Sequence, residues 1–375
     1  MNYIGTSFLL LLSACLFTYR FIFDHHESFL MNLFQVDNPV GGKKLQIYLQ
    51  EIDSKWNSDV INCTGCSCKF DFLDSLEPLI HCIIQKSSFV TKSIKDSTFI
   101  FTPLYTNNLR KAGINASLFD ITGKDDSFSR WRGSRHIQVD SYLSQNENPN
   151  YMKFESSKDD KIVDQHVFIT TNLTIETIRS NRWLNSRHIL IPPLQTRDKY
   201  PEIKKKARTF LFLGSSDLIK KLYQKHENSL LIESFSDTKK VLDEVSESEF
   251  TVIHPNKDFL PFFIYEILRS YSIPVLLSGP FLPAFANTHI NYTKVSIRIN
   301  PENANPSDFD ERIQKFDKLD ALQEIFKVKK FLMWPKNGIA SENNAGGVLL
   351  DYLNTRHRVL RPVLRRTFIG SDTFI

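Results

Sequence analysis

The sequence contains little glycine and little excess charge. Only 13 of the 375 residues are glycine, against an average usage of about 7%, and none lies between Ser215 and Ser278. The net charge is +5, from 47 basic and 42 acidic residues. This excess is too small for a histone-like binder of nucleic acid. We therefore expect no nucleic-acid partner.

The composition also lacks the biases of collagen, of disordered chains and of multi-span membrane proteins. The hydrophobic fraction is 41% and the charged fraction is 24%, as in ordinary globular proteins. No internal repeat or low-complexity tract is visible. At roughly 100 to 200 residues per domain, the length predicts two packed domains.

One long apolar run lies at the N-terminus. Tyr3 to Phe23 is long enough to cross a hydrocarbon layer roughly 30 Å thick. Residues 1–23 are therefore predicted to be a signal anchor, and residues 24–42 a stem. A cleaved signal peptide and a lipid attachment at Cys15 are the alternatives, although both normally need Lys or Arg before the apolar run.

Four of the five cysteines fall within twenty residues. They are Cys63, Cys66, Cys68 and Cys82. In an oxidising lumen they would form two local disulfides. A zinc site is the alternative, but the C-x2-C-x-C spacing differs from the paired spacing of a zinc ribbon. Glycosylation motifs, which permit a glycoprotein without proving one, begin at Asn62, Asn115, Asn172 and Asn291.

The body alternates strand and helix patterns, which predicts the α/β class. The predicted strands are Leu45 to Leu49, Ser97 to Thr102, Thr209 to Leu213, Phe250 to His254 and Ile273 to Leu277. The predicted helices are Leu73 to Lys86, Ser216 to Lys225, Asp237 to Val245 and Pro261 to Tyr271. The last two strands and the helix between them have the length of one parallel crossover. Two halves, residues 43–195 and 196–375, are predicted to meet just after a hinge at Pro192 and Pro193.

Two acidic residues, Asp308 and Asp310, have the spacing of a metal-binding pair in metal-dependent sugar transferases. We favour a structural role for them. Ser307 is a natural N-cap, and acidic residues in the first helical turn complement the helix dipole. No metal site is predicted.

The loop after the strand at Phe250 is the predicted binding region. In an open α/β sheet, ligands bind outside the carboxyl ends of the strands. The helix that follows would present its N-terminus to a phosphate, and Lys257 would add a positive charge. Glu266 is placed in this helix to accept hydrogen bonds from ribose hydroxyls. Its alternative is a surface pair with Arg269 or Ser270.

The order of several sequence patches resembles the exostosin family, family 47 of the glycosyltransferases. The match runs from roughly Leu45 to Asp351, and no single patch carries it. The patches are LQIYLQEIDSKWN, SIKDSTFIFTPLY, WRGSRHI, HILIPP, RTFLFLG, SEFTVIHP, YEIL, SIPVLLS, FLP and INYTKVSI. Within the family, the chain resembles the animal exostosins that polymerise heparan sulfate.

The resemblance implies a GT-B architecture, with two Rossmann-like domains facing a cleft. It implies inverting transfer of a sugar, glucuronic acid among the candidates, from a UDP donor to a growing glycan such as heparan sulfate. No cofactor or metal is expected. The protein would be a single-pass type II membrane protein of the Golgi or endoplasmic reticulum with a lumenal body. The second transferase domain of full-length animal exostosins is not expected here.

The resemblance also assigns candidate site residues. On the donor side, Glu266 would hold the ribose, Lys257 would lie beside the diphosphate, and the RTFLFLG strand and its end would contribute three residues. These three are Arg208, Gly214 and Ser215. On the acceptor side the candidates are Trp131, Arg135 and His136, with His136 as a weak candidate for the general base. A solvated basic turn with a structural histidine is the alternative.

Departures from the family pattern weaken the predicted donor site. Phe263 occupies the position of an arginine expected to contact the diphosphate, and Tyr271 occupies the position of a glycine. The glycine usual after Pro255 is also absent. A second hypothesis is therefore a catalytically impaired subunit that stabilises an active glycosyltransferase in a hetero-oligomer. A third is a lectin-like binder that uses the Trp131 cluster.

Overall fold

A computed structural model describes most of the body of the chain. The described residues are 45–69, 75–114, 135–139, 167–171, 189–197, 199–234, 237–254, 260–278, 283–286, 288–301 and 305–355. The predicted anchor and stem lie outside them, as do Trp131 and Lys257. Among the residues that are described, no helix has both the length and the apolar character to cross a membrane.

Two parallel sheets organise the body. The strands of the first sheet are β1 (Ile47–Leu49), β2 (Val90–Thr91), β3 (Phe99–Phe101), β4 (His136–Val139), β5 (Val167–Thr170) and β6 (Ile189–Leu190). The strands of the second are β7 (Arg208–Leu213), β8 (Ser229–Ile232), β9 (Ser248–Ile253), β10 (Ile273–Leu277) and β11 (Ile297–Ile299). Every strand pair is parallel. The α/β class is therefore confirmed.

Both sheets have the same strand order. The first runs β2–β1–β3–β4–β5–β6 and the second runs β8–β7–β9–β10–β11. In each sheet the first strand along the chain is an internal strand. The second strand pairs on one side of it, and all later strands lie on the other side. The order therefore reverses between β1 and β3, and between β7 and β9. Such a switch point is where open parallel sheets bind ligands.

Helices connect the strands. They are α1 (Ser58–Ile61), α2 (Leu76–Lys86), α3 (Thr106–Lys111), α4 (Asp217–Tyr223), α5 (Thr238–Ser246), α6 (Leu260–Arg269), α7 (Tyr292–Val295), α8 (Pro306–Lys315), α9 (Lys318–Val328) and α10 (residues 345–355). Short 3-10 helices lie at Ser54–Trp56, Gly65–Ser67 and Lys329–Leu332.

The central strands are buried because their side chains are apolar on both faces. In β10 all five residues are buried, and in β9 only Glu249 is partly exposed. The predicted crossover is present, since β9, α6 and β10 follow one another and β9 pairs with β10 in parallel. Strand β8 was not predicted, because its apolar run is only three residues long, from Leu230 to Ile232. All four of its residues are half-buried, and it forms a short edge.

The segment that joins the two sheets is buried, from Ile191 to Leu194. The carbonyl of Pro192 accepts a hydrogen bond from Trp334 Nε1 at 2.9 Å. Further on, Lys86 Nζ of α2 donates to the carbonyl of Asn337 at 2.8 Å. The chain after α9 therefore contacts both the joining segment and the first half, and Leu45–Asn354 forms one compact unit.

Two disulfides hold the start of the first half. They join Cys63 to Cys68 and Cys66 to Cys82, so the prediction of two local disulfides is confirmed and the pairing is defined. The second bond ties the 3-10 helix at Gly65–Ser67 to α2. Tyr105 supports the same turn, because its hydroxyl accepts a hydrogen bond from the Gly65 N–H at 2.7 Å.

Candidate functional site

The switch point of the second sheet brings two predicted regions together. Leu213 at the end of β7 pairs in register with Ile253 at the end of β9. The next residues, Gly214 and His254, therefore lie side by side at the carboxyl edge. This is the edge at which a parallel sheet binds its ligand.

Gly214 leaves space at this edge that no described residue fills. Its φ of +123° is a backbone conformation that side chains disfavour, and a Cβ built on it would meet no atom of the described residues within 4 Å. The following Ser215 is exposed, while Ser216 caps α4 by accepting a hydrogen bond from the Ile219 N–H at 3.3 Å. The structure thus places the predicted Gly214 and Ser215 together at the expected edge.

Two further polar residues end strands here. His254 is half-buried, and burial lowers the pKa of its imidazole. Ser278, which follows β10, is buried, and its hydroxyl has no hydrogen-bond partner among the described residues. Sequence reasoning named the His254 loop but missed Ser278. The available signal was a polar residue directly after five apolar ones.

The corresponding edge of the first sheet is closed by its own side chains. Thr102, just past β3, donates its hydroxyl to Gln50 Oε1, just past β1, at 2.8 Å. Thr102 and the nearby Leu104 and Tyr105 are all buried. The β1–β3 switch point is thus bridged by a hydrogen bond between side chains, whereas the β7–β9 switch point carries a glycine.

Glu266 lies in α6 with its carboxylate completely buried. Four groups donate hydrogen bonds to it. They are Arg269 Nη1 at 2.6 Å, the Thr196 N–H at 3.4 Å, Thr196 Oγ1 at 2.8 Å and the Tyr200 hydroxyl at 2.6 Å. All four come from the protein itself, so a ribose hydroxyl would have to replace one of them. The pKa of Tyr200 is raised well above its usual range, first by burial.

The ion pair of Glu266 with Arg269 is buried, whereas the alternative inferred from the sequence was a pair on the protein surface. Arg269 is fully buried, and its guanidinium donates to the carbonyls of Pro193 at 2.8 Å and of Leu332 at 3.1 and 2.5 Å. Because Pro193 lies in the joining segment and Leu332 follows α9, the ion pair holds three parts of the chain together. Sequence reasoning missed Thr196 and Tyr200, which are 70 and 66 residues away from Glu266 along the chain.

Arg208 lies far from the predicted diphosphate region. It is the first residue of β7, and Gly214 follows the last. Six residues of strand separate them by about 20 Å. Arg208 pairs with Glu244 of α5, so the structure places it at the amino edge, away from Gly214.

Arg135 and His136 also lie at an amino edge, that of the first sheet. His136 is the first residue of β4 and is fully buried. Arg135 donates to Ser97 Oγ at 2.8 Å and to the Ile94 carbonyl at 3.2 Å, and so holds the turn before β3. A fully buried imidazole is not positioned to accept a proton from an acceptor sugar. This placement favours the structural alternative for both residues.

Phe263 and Tyr271, two of the residues that depart from the family pattern, both lie in or just after α6. Phe263 is buried in α6, with 3% exposure. Tyr271 has φ +55° and follows the end of α6, where its N–H bonds the Leu268 carbonyl and the Ser272 N–H bonds the Ile267 carbonyl, both at 3.1 Å. These two bonds form a Schellman motif, whose left-handed position usually carries glycine. A glycine here would end the helix rather than approach a phosphate, so Tyr271 is not a departure at the Gly214 edge.

An open groove of about 370 Å³ lies elsewhere. Its lining residues are Arg197, Lys199, Pro201, Lys204, Asp243, Glu244, Ser246 and Glu247. Glu247 directly precedes β9, which places the groove at the amino edge of the second sheet. Acidic and basic side chains pair along it, including Arg197 with Asp243 at 2.8 Å. Its position at the wrong edge argues against a donor site.

Asp308 and Asp310 have structural contacts. The N-cap of α8 is Asn305, not Ser307: Asn305 Oδ1 accepts from the Asp308 N–H at 2.9 Å, and Asn305 Nδ2 donates to Asp308 Oδ2 at 2.8 Å. Asp310 lies 3.5 Å from His226 Nε2. Within the described part of the chain, no group of three or more His, Cys, Asp or Glu side chains is placed to hold a metal ion.

The solved structures that are similar to this chain include three with low identity. The glycotransferase of kitacinnamycin has 10% identity and a TM-score of 0.32, covering 75% of this chain and 82% of that one. CalG4, the calicheamicin glycosyltransferase, has 9% identity and a TM-score of 0.33, covering 83% and 99%. A GtfA/B complex has 9% identity and a TM-score of 0.37, covering 76% and 60%.

These TM-scores are too low to carry an argument, and no curated protein matches the chain. The family model is decisive instead. The exostosin GT47 domain matches residues 41–311, a range that includes both sheets and both switch points. The chain therefore belongs to the exostosin GT47 family of glycosyltransferases.

Proposed function

We propose that this protein transfers a sugar from a UDP donor to a growing glycan. The observation that carries the proposal is the family match over both sheets. The open switch point at Gly214 supports placing the donor on the second sheet. The acceptor would then face it from the first half, as the GT-B architecture of the family implies.

The proposed reaction is inverting. An acceptor hydroxyl attacks the anomeric carbon of the donor sugar, its proton passes to a base, and UDP leaves with the electron pair of the broken C–O bond. Gly214 and Ser215 would flank the diphosphate, and Lys257 would add charge to the same region. Glu266 would reach a ribose only by exchanging one of its internal hydrogen bonds. Glucuronic acid and a heparan-type acceptor are the finer identities that the resemblance suggests.

A lumenal location completes the proposal. The two disulfides near α2 are typical of proteins that fold in oxidising compartments. We therefore propose a Golgi or endoplasmic reticulum protein, held in the membrane by residues 1–23, with the sheets on the lumenal side.

Calorimetry and product analysis test the activity. The full chain is titrated with a panel of UDP-sugars and then incubated with glycan acceptors, with UDP release measured and the products identified by mass spectrometry. We expect one UDP-sugar to bind and to be consumed only with an acceptor. Absence of binding by any UDP-sugar, for the protein alone and with candidate partner transferases, would contradict the proposal.

One observation favours a second function. The carboxylate of Glu266 is satisfied entirely within the protein, and Phe263, at the position of the family arginine, is buried. Both fit a subunit that stabilises an active partner without binding a donor. Gly214→Val, which fills the open edge, separates the two functions. A partner complex that keeps its full activity with this variant indicates a scaffold, whereas lost transfer indicates a donor site.

A further inference from the structure

His254 and Gly214 face the same space. Side chains alternate along a strand, and the pair two residues earlier, Phe212 and Val252, is in register across β7 and β9. His254 therefore stands on the same face as residue 214, which has no side chain. The space at Gly214 that no described residue fills is thus adjacent to an imidazole.

Within the part of the chain that the structure describes, the imidazole of His254 is available for a ligand. His254 is only half-buried, and it makes no hydrogen bond with any residue that the structure describes. Burial lowers the pKa of its imidazole, and no charged side chain of the described residues forms an ion pair with it. At neutral pH the ring is uncharged, with one nitrogen that donates and one that accepts.

We propose that His254 binds a phosphate oxygen of the nucleotide-sugar donor and takes up a proton from solvent when the diphosphate binds. The inference depends on the proposed function, because it concerns the same edge of the second sheet. An N–H from the ring is directed to the anion, and the second nitrogen becomes protonated. The resulting bond from an imidazolium to a phosphate is stronger than the bond from the neutral ring.

The direction of the pH dependence follows from the two states of the protein. Without donor, burial holds the pKa of His254 below its ordinary value. An adjacent anion favours the charged form and raises this pKa. Between the two values the complex binds one more proton than the free components, so affinity increases as the pH falls. The diphosphate diester of a UDP-sugar does not titrate in this range.

Calorimetry on the full chain tests the inference. A UDP-sugar is titrated at about pH 7.5 and about pH 6.0, in two buffers with different ionisation enthalpies, so that proton uptake is measured directly. For the wild type we expect affinity up to about tenfold higher at the lower pH, with proton uptake. His254→Asn keeps an N–H donor without a titrating ring, and should lose both effects.

His289→Gln is the matched control. His289 is another half-buried histidine whose pKa is lowered first by burial, and it lies 3.4 Å from Asp351. This variant should keep the pH dependence of the wild type. If His254→Asn does not fold, NMR titration of the wild-type His254 with and without the UDP-sugar gives the same readout, and its pKa should rise on binding.

The outcomes separate the two levels of the proposal. A wild type that binds a UDP-sugar without proton uptake, or a His254→Asn variant that keeps the pH dependence, overturns the role of His254 and leaves the transferase intact. If the pKa of His254 in the wild type does not change when the UDP-sugar binds, the role of His254 is likewise overturned. A wild type that binds no UDP-sugar at all removes the proposed function and this inference together.

Discussion

The two sheets share one strand order but differ at the switch point. At the β1–β3 switch point, the side chain of Thr102 donates a hydrogen bond to that of Gln50. At the β7–β9 switch point, Gly214 lies beside the half-buried His254, and no side chain of the described residues fills the space next to it. The same topology therefore provides two equivalent edges, and the described side chains bridge the first edge but not the second.

The halves also differ in what holds them together. Two disulfides cross-link the first half around α2. In the second half, a buried ion pair, Glu266 with Arg269, links α6 to the joining segment and to Leu332. Covalent links constrain the unfolded chain. A buried ion pair stabilises only when all its groups are satisfied. The following experiments test this difference.

The largest effect is expected from Arg269→Met. The substitution leaves the Glu266 carboxylate buried without its cation, and breaking a buried pair typically costs about 3 to 5 kcal/mol. The free energy of unfolding is measured in urea. Lys327→Met removes the cation of an exposed pair with the same spacing, Glu324 and Lys327, and should cost less than about 1 kcal/mol. Equal losses for the two variants would show that the buried pair has no special role.

The disulfides provide the matching test in the first half. Replacing Cys66 and Cys82 by alanine opens a link across 16 residues, with an expected loss of about 3 kcal/mol from chain entropy. Replacing Cys63 and Cys68 opens a link across 5 residues and should cost about 2 kcal/mol. Hydrogen exchange should show the loss of protection around α2 and not around β9. Loss of protection spread equally over both sheets would argue against separate stabilisation of the halves.

Acid should weaken the first half through His81. Burial lowers the pKa of this histidine to about 4, below the ordinary value of about 6.5. The unfolded chain therefore binds the proton first, and stability falls between about pH 6.5 and pH 4, by at most about 3 kcal/mol. His81→Gln should flatten the dependence of the unfolding free energy on pH in this window. An unchanged slope would exclude His81 as its source.

The smallest expected effect on stability is at the switch points themselves. Gly214→Ala should cost about 1 to 3 kcal/mol, because alanine disfavours φ +123°, and it should also weaken UDP-sugar binding. Gln50→Ala should cost about 1 kcal/mol, from the hydrogen bond with Thr102, and leave donor binding unchanged. A loss of donor binding in Gln50→Ala alone would reverse the assignment of the two edges.

The sequence predicted the parts of the fold that depend on local pattern. Apolar runs located β7, β9 and β10 to within two residues at either end, because strands buried on both faces are continuously apolar. The apolar run in β8 is only three residues long, from Leu230 to Ile232, which is a weaker signal. The position of His254 at the carboxyl edge was also predictable, because it lies at the end of a predicted strand. That this edge binds the donor stays a prediction.

Contacts between distant segments were not predictable. Thr196 and Tyr200 come from the joining segment, and no spacing in the sequence associates them with Glu266. Arg135 and His136 were expected at a binding surface from their motif alone. A motif gives the order of residues along the chain, but only the start of β4 at His136 shows that they lie at the amino edge.

The return of the chain to α2 has a consequence for biosynthesis. Lys86 and the residue whose carbonyl it binds, Asn337, are 251 positions apart, and the backbone at Gly346 approaches Ile83 so closely that a Cβ there would lie 2.9 Å from its Cδ1. Until the ribosome has made that later stretch, one surface of α2 lacks its native cover. The first half is therefore translated early, but its packing is completed only when residues near the end of the chain have been made. During that interval a chaperone can bind the uncovered surface of α2.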